Sequence, residues 1–124
     1  MLSKLEVYAT IPASDLNRAK EFYSQVLGFK PESESPGGII FRCKTSRFFL
    51  YPTQFAGTAK NTLAAWETGN IEKEVAELRS RGVKFEDYDY PELKTVHGIA
   101  TMGATKAAWF KDSEGNILGI TQPG

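Results

Sequence analysis

The sequence contains one cysteine, no long apolar run and no cluster of basic residues, and each absence excludes a class of protein. The lone Cys43 cannot form an internal disulfide or a zinc site built from thiolates. No segment approaches the roughly 18 apolar residues of a membrane-spanning helix, and the charged start does not resemble a signal peptide. Fifteen basic residues balance fifteen acidic ones, which argues against a nucleic-acid surface. We therefore expect a cytoplasmic protein without membrane or nucleic-acid partners.

The sequence does contain enough apolar material for one core, arranged as two similar units. Apolar residues make up 41% of the chain, which suits a single domain over residues 1–124. In each half a strand-like run leads to a helix N-cap, Asp15 or Asn70, and the helix that follows ends at a glycine. This repeated order predicts two units, about residues 4–57 and about residues 61–123.

Periodicity defines most elements of these units. The apolar residues of the first helix share one face and are Leu16, Ala19, Phe22, Tyr23, Val26 and Leu27. Strand-like runs joined by short turns follow the helices at residues 39–43, 47–51, 107–111 and 116–121. Residues 87–103 show no period, so we expect a mobile loop bracketed by Gly98 and Gly103, with Tyr88 and Tyr90 in solvent. The pattern predicts an α+β fold of two βαβββ units, with one strand of each half less sharply marked.

Three stretches resemble the motifs of a known family. They are residues 11–23 with Leu27-Gly28-Phe29, residues 78–83, and residues 109–116. These stretches are similar to the vicinal oxygen chelate family, also called the glyoxalase, bleomycin-resistance and extradiol-dioxygenase superfamily. The resemblance implies paired βαβββ modules whose sheets curl into a cup that binds a ligand. For a chain of this length it also implies a homodimer.

Enzymes of that family hold a metal ion on the first and last strands of each module, and the resemblance implies where these positions lie. They fall at Tyr8, Leu63, Gly119 and either Leu50 or Tyr51. Zn²⁺ and hard cations require imidazole, thiolate or carboxylate ligands, whereas leucine and glycine offer none and a phenol is mostly protonated at neutral pH. We therefore predict no metal site and no cofactor. Metal-dependent isomerisation and ring cleavage are then not expected.

Alternation along the strands indicates which side chains line the cup. In the first strand, residues 6–11, the apolar Val7, Ala9 and Ile11 face the helices, so alternate residues face the ligand. The predicted ligand pocket comprises Tyr8, Thr10, Tyr51, Leu63, Trp109, Gly119 and Thr121. Such a mixed aromatic and apolar surface with a few polar groups is typical of a small-molecule site. His97 and Met102, in the predicted loop, would form a lid.

Several of these residues have simpler interpretations. Trp109 and Tyr8 could be packing residues of the core. His97 is the only histidine and could act as a general base, but a solvated loop residue is the commoner case. Asp112 and Glu114 are more typical of a turn than of a catalytic pair of carboxylates.

Three functions remain open at this point. The first is a metal-free protein that binds, sequesters or senses a small organic molecule. The second is a glyoxalase-like lyase, an isomerase or a dioxygenase with atypical metal ligands, for which Glu6, Glu67 and His97 are the candidates. The third is a structural or interaction module whose cup is filled by side chains. The loss of donors at the expected positions favours the first.

Overall fold

The computed structural model describes all 124 residues, Met1–Gly124, as two α-helices and ten strands. The first half contains β1 (Ala9–Ala13), α1 (Leu16–Glu21), β2 (Pro31–Ser35), β3 (Gly38–Cys43) and β4 (Ser46–Pro52). The second half contains β5 (Thr62–Glu67), α2 (Ile71–Ser80), β6 (Asp89–Tyr90), β7 (Leu93–Val96), β8 (Ile99–Met102), β9 (Thr105–Lys111) and β10 (Ile117–Gln122). A 3-10 turn at Leu2–Lys4 precedes β1. Neither helix has the length and apolar character needed to cross a membrane.

The strands form two sheets with the same internal order. The first sheet runs β1-β4-β3-β2, and β1 lies parallel to β4. The second runs β5-β10-β9-β8-β7-β6, and β5 lies parallel to β10. The β5-β10-β9-β8 portion therefore repeats the first sheet, and β6 and β7 extend it. The predicted α+β fold is confirmed.

Both helices begin and end where the local chemistry requires. Asp15 and Asn70 each accept, through a side-chain oxygen, a hydrogen bond from the backbone N–H three residues later. These bonds satisfy donors that the first helical turn leaves unpaired. After α1 the chain makes a π-helical turn, Phe22–Val26, in which the Leu27 N–H donates to the Phe22 carbonyl at 3.1 Å. Gly28 then follows with φ of 83°, a conformation that glycine adopts without strain.

One hydrophobic core joins the two halves on the helix side of the sheets. Leu50 and Leu118, from the two sheets, are fully buried in it. Trp66 of β5, in the second half, packs against the first half, because its ring centroid lies 5.7 Å from that of Phe29 and 5.8 Å from that of Phe48. Since both sheets pack one face against this shared core, the opposite face of each sheet is not covered by it. We call these two surfaces the free faces.

The predicted mobile loop at residues 87–103 was wrong, because most of that segment is β6, β7 and β8. Val96 pairs with Ile99 across the two-residue turn His97-Gly98, whose φ values are 54° and 80°. Positive φ at both turn residues matches the right-handed twist of the flanking strands. β8 and β9 form a second hairpin, in which Met102 pairs with Thr105 across the two-residue turn Gly103-Ala104.

The predicted start of the first strand was also wrong. β1 begins at Ala9, and the eight residues before it are exposed. Val7, which we expected to face the helices, is 92% exposed. Within β1 the expected alternation holds, since Ile11 is buried and Thr10 is not. The missing pairing partner for residues 6–8 explains the shorter strand.

Candidate functional site

The free face of the second sheet is organised around Trp109. Cross-strand pairing places Trp109 opposite Gly119, and Gly119 opposite Ala65. A Cβ added at Gly119 would meet Trp109 Cδ1 and Thr62 Cγ2 at 3.5 Å, which is ordinary van der Waals contact. Gly119 is itself buried, so the depression it leaves beside the indole ring has room for about one methyl group.

Two tyrosines extend the indole into an aromatic wall. The rings of Tyr88 and Trp109 meet edge to face, 5.5 Å apart, and Tyr90 stacks on Tyr88 at 6.1 Å. The sequence placed both tyrosines in solvent, yet only Tyr90 is mainly exposed. Burial, and then the negative charge of Glu86, raise the pKa of Tyr88, so its phenol stays neutral at physiological pH. The two-residue spacing of these tyrosines was the available sign that they share one face of a strand.

The free face of the first sheet carries a second aromatic pair. Phe49 and Tyr51 of β4 stack with ring centroids 6.1 Å apart and planes 8° from parallel. Thr10 lies opposite Phe49 in the parallel pairing. A cavity of about 220 Å³ opens at this face, and it is lined by Tyr8, Ile40, Arg47, Phe48 and Phe49. Phe49 was absent from the pocket predicted from sequence, although its two-residue spacing from Tyr51 places it on the same face.

The structure divides the predicted pocket residues into two groups. Thr10 and Tyr51 lie on the free face of the first sheet, with Tyr8 at its margin and 52% exposed. The second-sheet group occupies alternate positions of its strands and comprises Leu63, Trp109, Gly119 and Thr121. Leu63 has no partner in the ladder, since the register shifts between Ile117 and Leu118. Every residue that lines the 220 Å³ cavity belongs to the first half of the chain.

His97 lies in the turn between β7 and β8, and Met102 is the last residue of β8. The His97 carbonyl accepts a hydrogen bond from Arg79 Nη2 at 2.9 Å, which holds the turn against the last part of α2. His97 also lines a groove with Glu72 of α2. Met102 is 45% exposed and follows the parity of the free face. The lid role of His97 and Met102 stays a prediction.

The donor set does not fit the metal ion that the family resemblance implies. The four implied positions carry phenols, hydrocarbon or no side chain at all. No group of three His, Cys, Asp or Glu side chains lies close enough together to hold a metal ion. Glu6, Glu67 and His97 belong to the N-terminal segment, the end of β5 and the β7–β8 turn, respectively, so the chain does not gather them. We therefore derive no chemical step through a metal.

The buried carboxylate of Glu114, in the turn between β9 and β10, binds the first half of the chain. It accepts hydrogen bonds from the Asp15 N–H at 2.9 Å and from Arg18 Nε and Nη2 at 2.8 and 3.0 Å. Burial opposes its ionisation, but the bonds from Arg18, Asp15, Ser113 and Ser14 outweigh that effect and lower its pKa to about 2.

Asp112 and Asn116 complete this turn. The Tyr23 hydroxyl donates to Asp112 Oδ2 at 2.6 Å, and Asn116 Nδ2 donates to the Pro12 carbonyl at 2.7 Å. Burial and the Asp112 charge raise the pKa of Tyr23, which keeps its proton. We call Asp112, Glu114 and Asn116 the polar turn. It fixes the hairpin that carries Trp109 and Gly119 against β1, a role that the interpretation as a simple turn had missed.

Comparison with known proteins agrees with this geometry. A family model described as Glyoxalase/Bleomycin resistance protein/Dioxygenase superfamily matches residues 7–120. TnmS3, an antibiotic binding protein from Streptomyces sp. CB03234, is 22% identical with a TM-score of 0.69, and the match covers 98% of each chain.

Two further structures show how widely the fold is used. A glyoxalase/bleomycin resistance protein/dioxygenase from Alicyclobacillus acidocaldarius is 16% identical with a TM-score of 0.72, over 96% of this chain and 91% of the other. A lactoylglutathione lyase from Agrobacterium tumefaciens is 18% identical with a TM-score of 0.65, over 96% and 93%. None of the curated proteins matches the sequence. At these identities the structural likeness establishes the fold alone.

Proposed function

The chain belongs to the glyoxalase/bleomycin resistance protein/dioxygenase superfamily, and we propose that it binds a small, uncharged aromatic molecule on its free faces without a metal ion. The observation that carries this proposal is the wall formed by Trp109 and Tyr88 beside the side-chain-free Gly119. An aromatic ligand lying against that wall gains ring contacts worth about 0.5–1.5 kcal/mol each beyond its buried area.

Unused polar groups at the same face supply orientation. Neither the indole N–H of Trp109 nor the hydroxyl of Thr121 takes part in a hydrogen bond within the chain, and neither is a fully buried atom without a partner. Thr10 offers a third free hydroxyl on the other sheet. A few such groups on an apolar surface are what fix a ligand's orientation in small-molecule sites. Carbonyl or hydroxyl substituents on the aromatic ligand would match them.

Two considerations support binding over metal catalysis. The donors at the implied metal positions are unsuitable, so the Lewis acid that polarises a substrate oxygen has no place to bind. The similarity to TnmS3, described as an antibiotic binding protein, shows that the fold is compatible with a binding role. We assign the binding role to two βαβββ modules, about residues 4–57 and 61–123.

We also propose that the chain works as a homodimer in the cytoplasm. The N-terminal segment presents Leu2, Leu5 and Val7 with 83%, 66% and 92% of their surface exposed. Clustered apolar exposure of this kind is typical of a contact surface. A second copy would cover the segment, and sedimentation measurements with residues 1–7 present and removed would test this.

Titration with 2-naphthol, followed by tryptophan fluorescence, tests the proposed function. We expect saturable binding by protein dialysed against chelator, and weakening of at least tenfold when Trp109→Leu removes the indole. Trp109→Phe should keep more of the affinity, and decahydro-2-naphthol, which has the same skeleton without aromatic rings, should bind weakly. Binding that requires added Zn, Ni, Mn or Fe, or equal affinity in the Trp109→Leu variant, would contradict the proposal.

A further inference from the structure

A second cavity lies on the helix side of the sheets, away from the free faces. It has a volume of about 280 Å³ and opens between α2 and residues 27–29, which follow the π-helical turn. Phe29, Trp66 and Phe110 give it an aromatic lining, and Leu78 closes one side. Six of its nine lining residues are hydrophobic, so the cleft is mainly apolar. Its size suits a ligand built on a single aromatic ring.

The remaining lining gives the cleft a charge of one sign. Glu74, on α2, lines it, and no Lys or Arg does. Glu67 borders the cleft as the exposed last residue of β5, but it alternates with Trp66 and pairs with Thr121, so its side chain follows the parity of the free face. Neither carboxylate belongs to any ion pair of the chain, nor does either accept a hydrogen bond. Other acidic residues of α2 are paired, since Glu72 meets Lys106 and Glu77 meets Arg81. The Glu74 carboxylate is therefore free to face a cation in the cleft.

We infer that this cleft binds a small organic cation that carries one aromatic ring on a short alkylammonium chain. The ring would lie among Phe29, Trp66 and Phe110, where it replaces water on apolar surface. The ammonium group would lie near Glu74, with the electron-rich face of Trp66 adding a cation–π attraction. The occupant differs from the uncharged aromatic molecule of the free faces, and the two sites lie on opposite sides of the second sheet.

The chain provides one reporter for each site, since it has two tryptophans, Trp66 in the cleft and Trp109 on the free face. Their indole N–H signals in a proton–nitrogen NMR spectrum can be assigned with Trp66→Phe and Trp109→Phe. The probe is 2-phenylethylammonium, compared with neutral 2-phenylethanol and anionic 3-phenylpropanoate. We expect a saturable shift of the Trp66 signal with the cation, at least tenfold weaker binding of the alcohol, and none of the anion.

Substitution separates charge recognition from folding. Glu74→Gln should weaken the cation at least fivefold and leave the weak binding of 2-phenylethanol unchanged, because only the charge is lost. Glu77→Gln removes the same charge from the same helix outside the cleft and should change neither. Higher salt should weaken the cation alone.

Equal binding of cation and alcohol, equal loss in Glu74→Gln and Glu77→Gln, or no saturable change at Trp66 would overturn the inference. Broadening of the Trp66 signal that depends only on protein concentration would assign the cleft to a second copy of the chain, which also overturns it. A shift confined to Trp109 would place the cation on the free face. Failure of 2-naphthol binding concerns that face only and leaves the cleft experiment decisive.

Discussion

The polar turn and the aromatic free face lie on one β9–β10 hairpin, but they differ in how their polar side chains are paired. Those of the turn are hydrogen-bonded within the chain, and those of the face are not. In the turn, Asp112 alone accepts four hydrogen bonds, and Glu114 is bound on both oxygens. On the face, the side-chain polar atoms of Trp109 and Thr121 have no partner in the chain. Buried polar groups must be satisfied internally, whereas accessible unsatisfied groups beside rings are available to a ligand. The comparison separates the residues that hold the hairpin in place from the residues that are free to contact a ligand.

The largest expected effect is from Asp112→Ala, which removes the carboxylate that accepts the hydrogen bonds of the polar turn. It leaves the Tyr23 hydroxyl and the N–H groups of Glu114 and Asn116 buried without an acceptor. We expect the free energy of unfolding to fall by about 4 kcal/mol in urea denaturation, given the cost of several unsatisfied buried groups. Asp89→Ala removes an exposed carboxylate from β6 and should change stability by less than about 0.5 kcal/mol. Similar losses in both variants would contradict the assigned role of the turn.

The second prediction concerns acid. The pKa of Glu114 is about 2 in the folded chain and 4.5 when unperturbed, so between these values only the unfolded chain binds the proton. Stability from this group is therefore complete above about pH 5 and is lost as the pH falls towards 2. Glu114→Gln should lower stability by about 2–3 kcal/mol at pH 7 and by much less near pH 2. The test is urea denaturation of both proteins across that range, and parallel curves would exclude the effect.

The smallest expected effect is from Gly119→Ala, a substitution on the free face of the second sheet. The added methyl makes only ordinary contacts, at 3.5 Å from Trp109 Cδ1, so the thermal midpoint should change little. Because the methyl fills the depression beside the indole, affinity for 2-naphthol should fall about threefold, or roughly 0.6 kcal/mol. Isothermal titration and a thermal melt on the same sample measure both quantities. A large loss of stability with unchanged affinity would show that Gly119 has a structural role and does not contact the ligand.

The sequence predicted what local chemistry determines. Asp15 and Asn70 are N-caps in the structure, as their position before an amphipathic run indicated. The strand expected at residues 62–67 coincides with β5. Two-residue alternation on β10 predicted that Gly119 and Thr121 share one face, because a strand in a sheet with one buried face must alternate.

What the sequence could not predict depends on contacts between distant residues. Glu114 meets Asp15 and Arg18 from 99 and 96 residues away, and no local pattern encodes such a contact. The Tyr88–Trp109 contact likewise depends on tertiary folding. The sequence predicts a loop at residues 87–103 because Pro91 and the glycines interrupt any period. Whether a polar residue in a turn is solvated or buried is decided by the partner that folds onto it.

The π-helical turn at Phe22–Val26 has a consequence for how insertions and deletions act on this protein. A π turn contains one residue more than an α turn, so removing a single residue there would restore a regular helix. Each residue of an α-helix turns the chain by about 100°, and the deletion would swing the ring of Tyr23 or the segment ending at Phe29 by that amount. Tyr23 meets the polar turn and Phe29 lines the helix-side cleft. The extra residue therefore sets the orientation of Tyr23 relative to Phe29. A deletion in the π turn would remove either the Tyr23 contact with the polar turn or the Phe29 wall of the cleft.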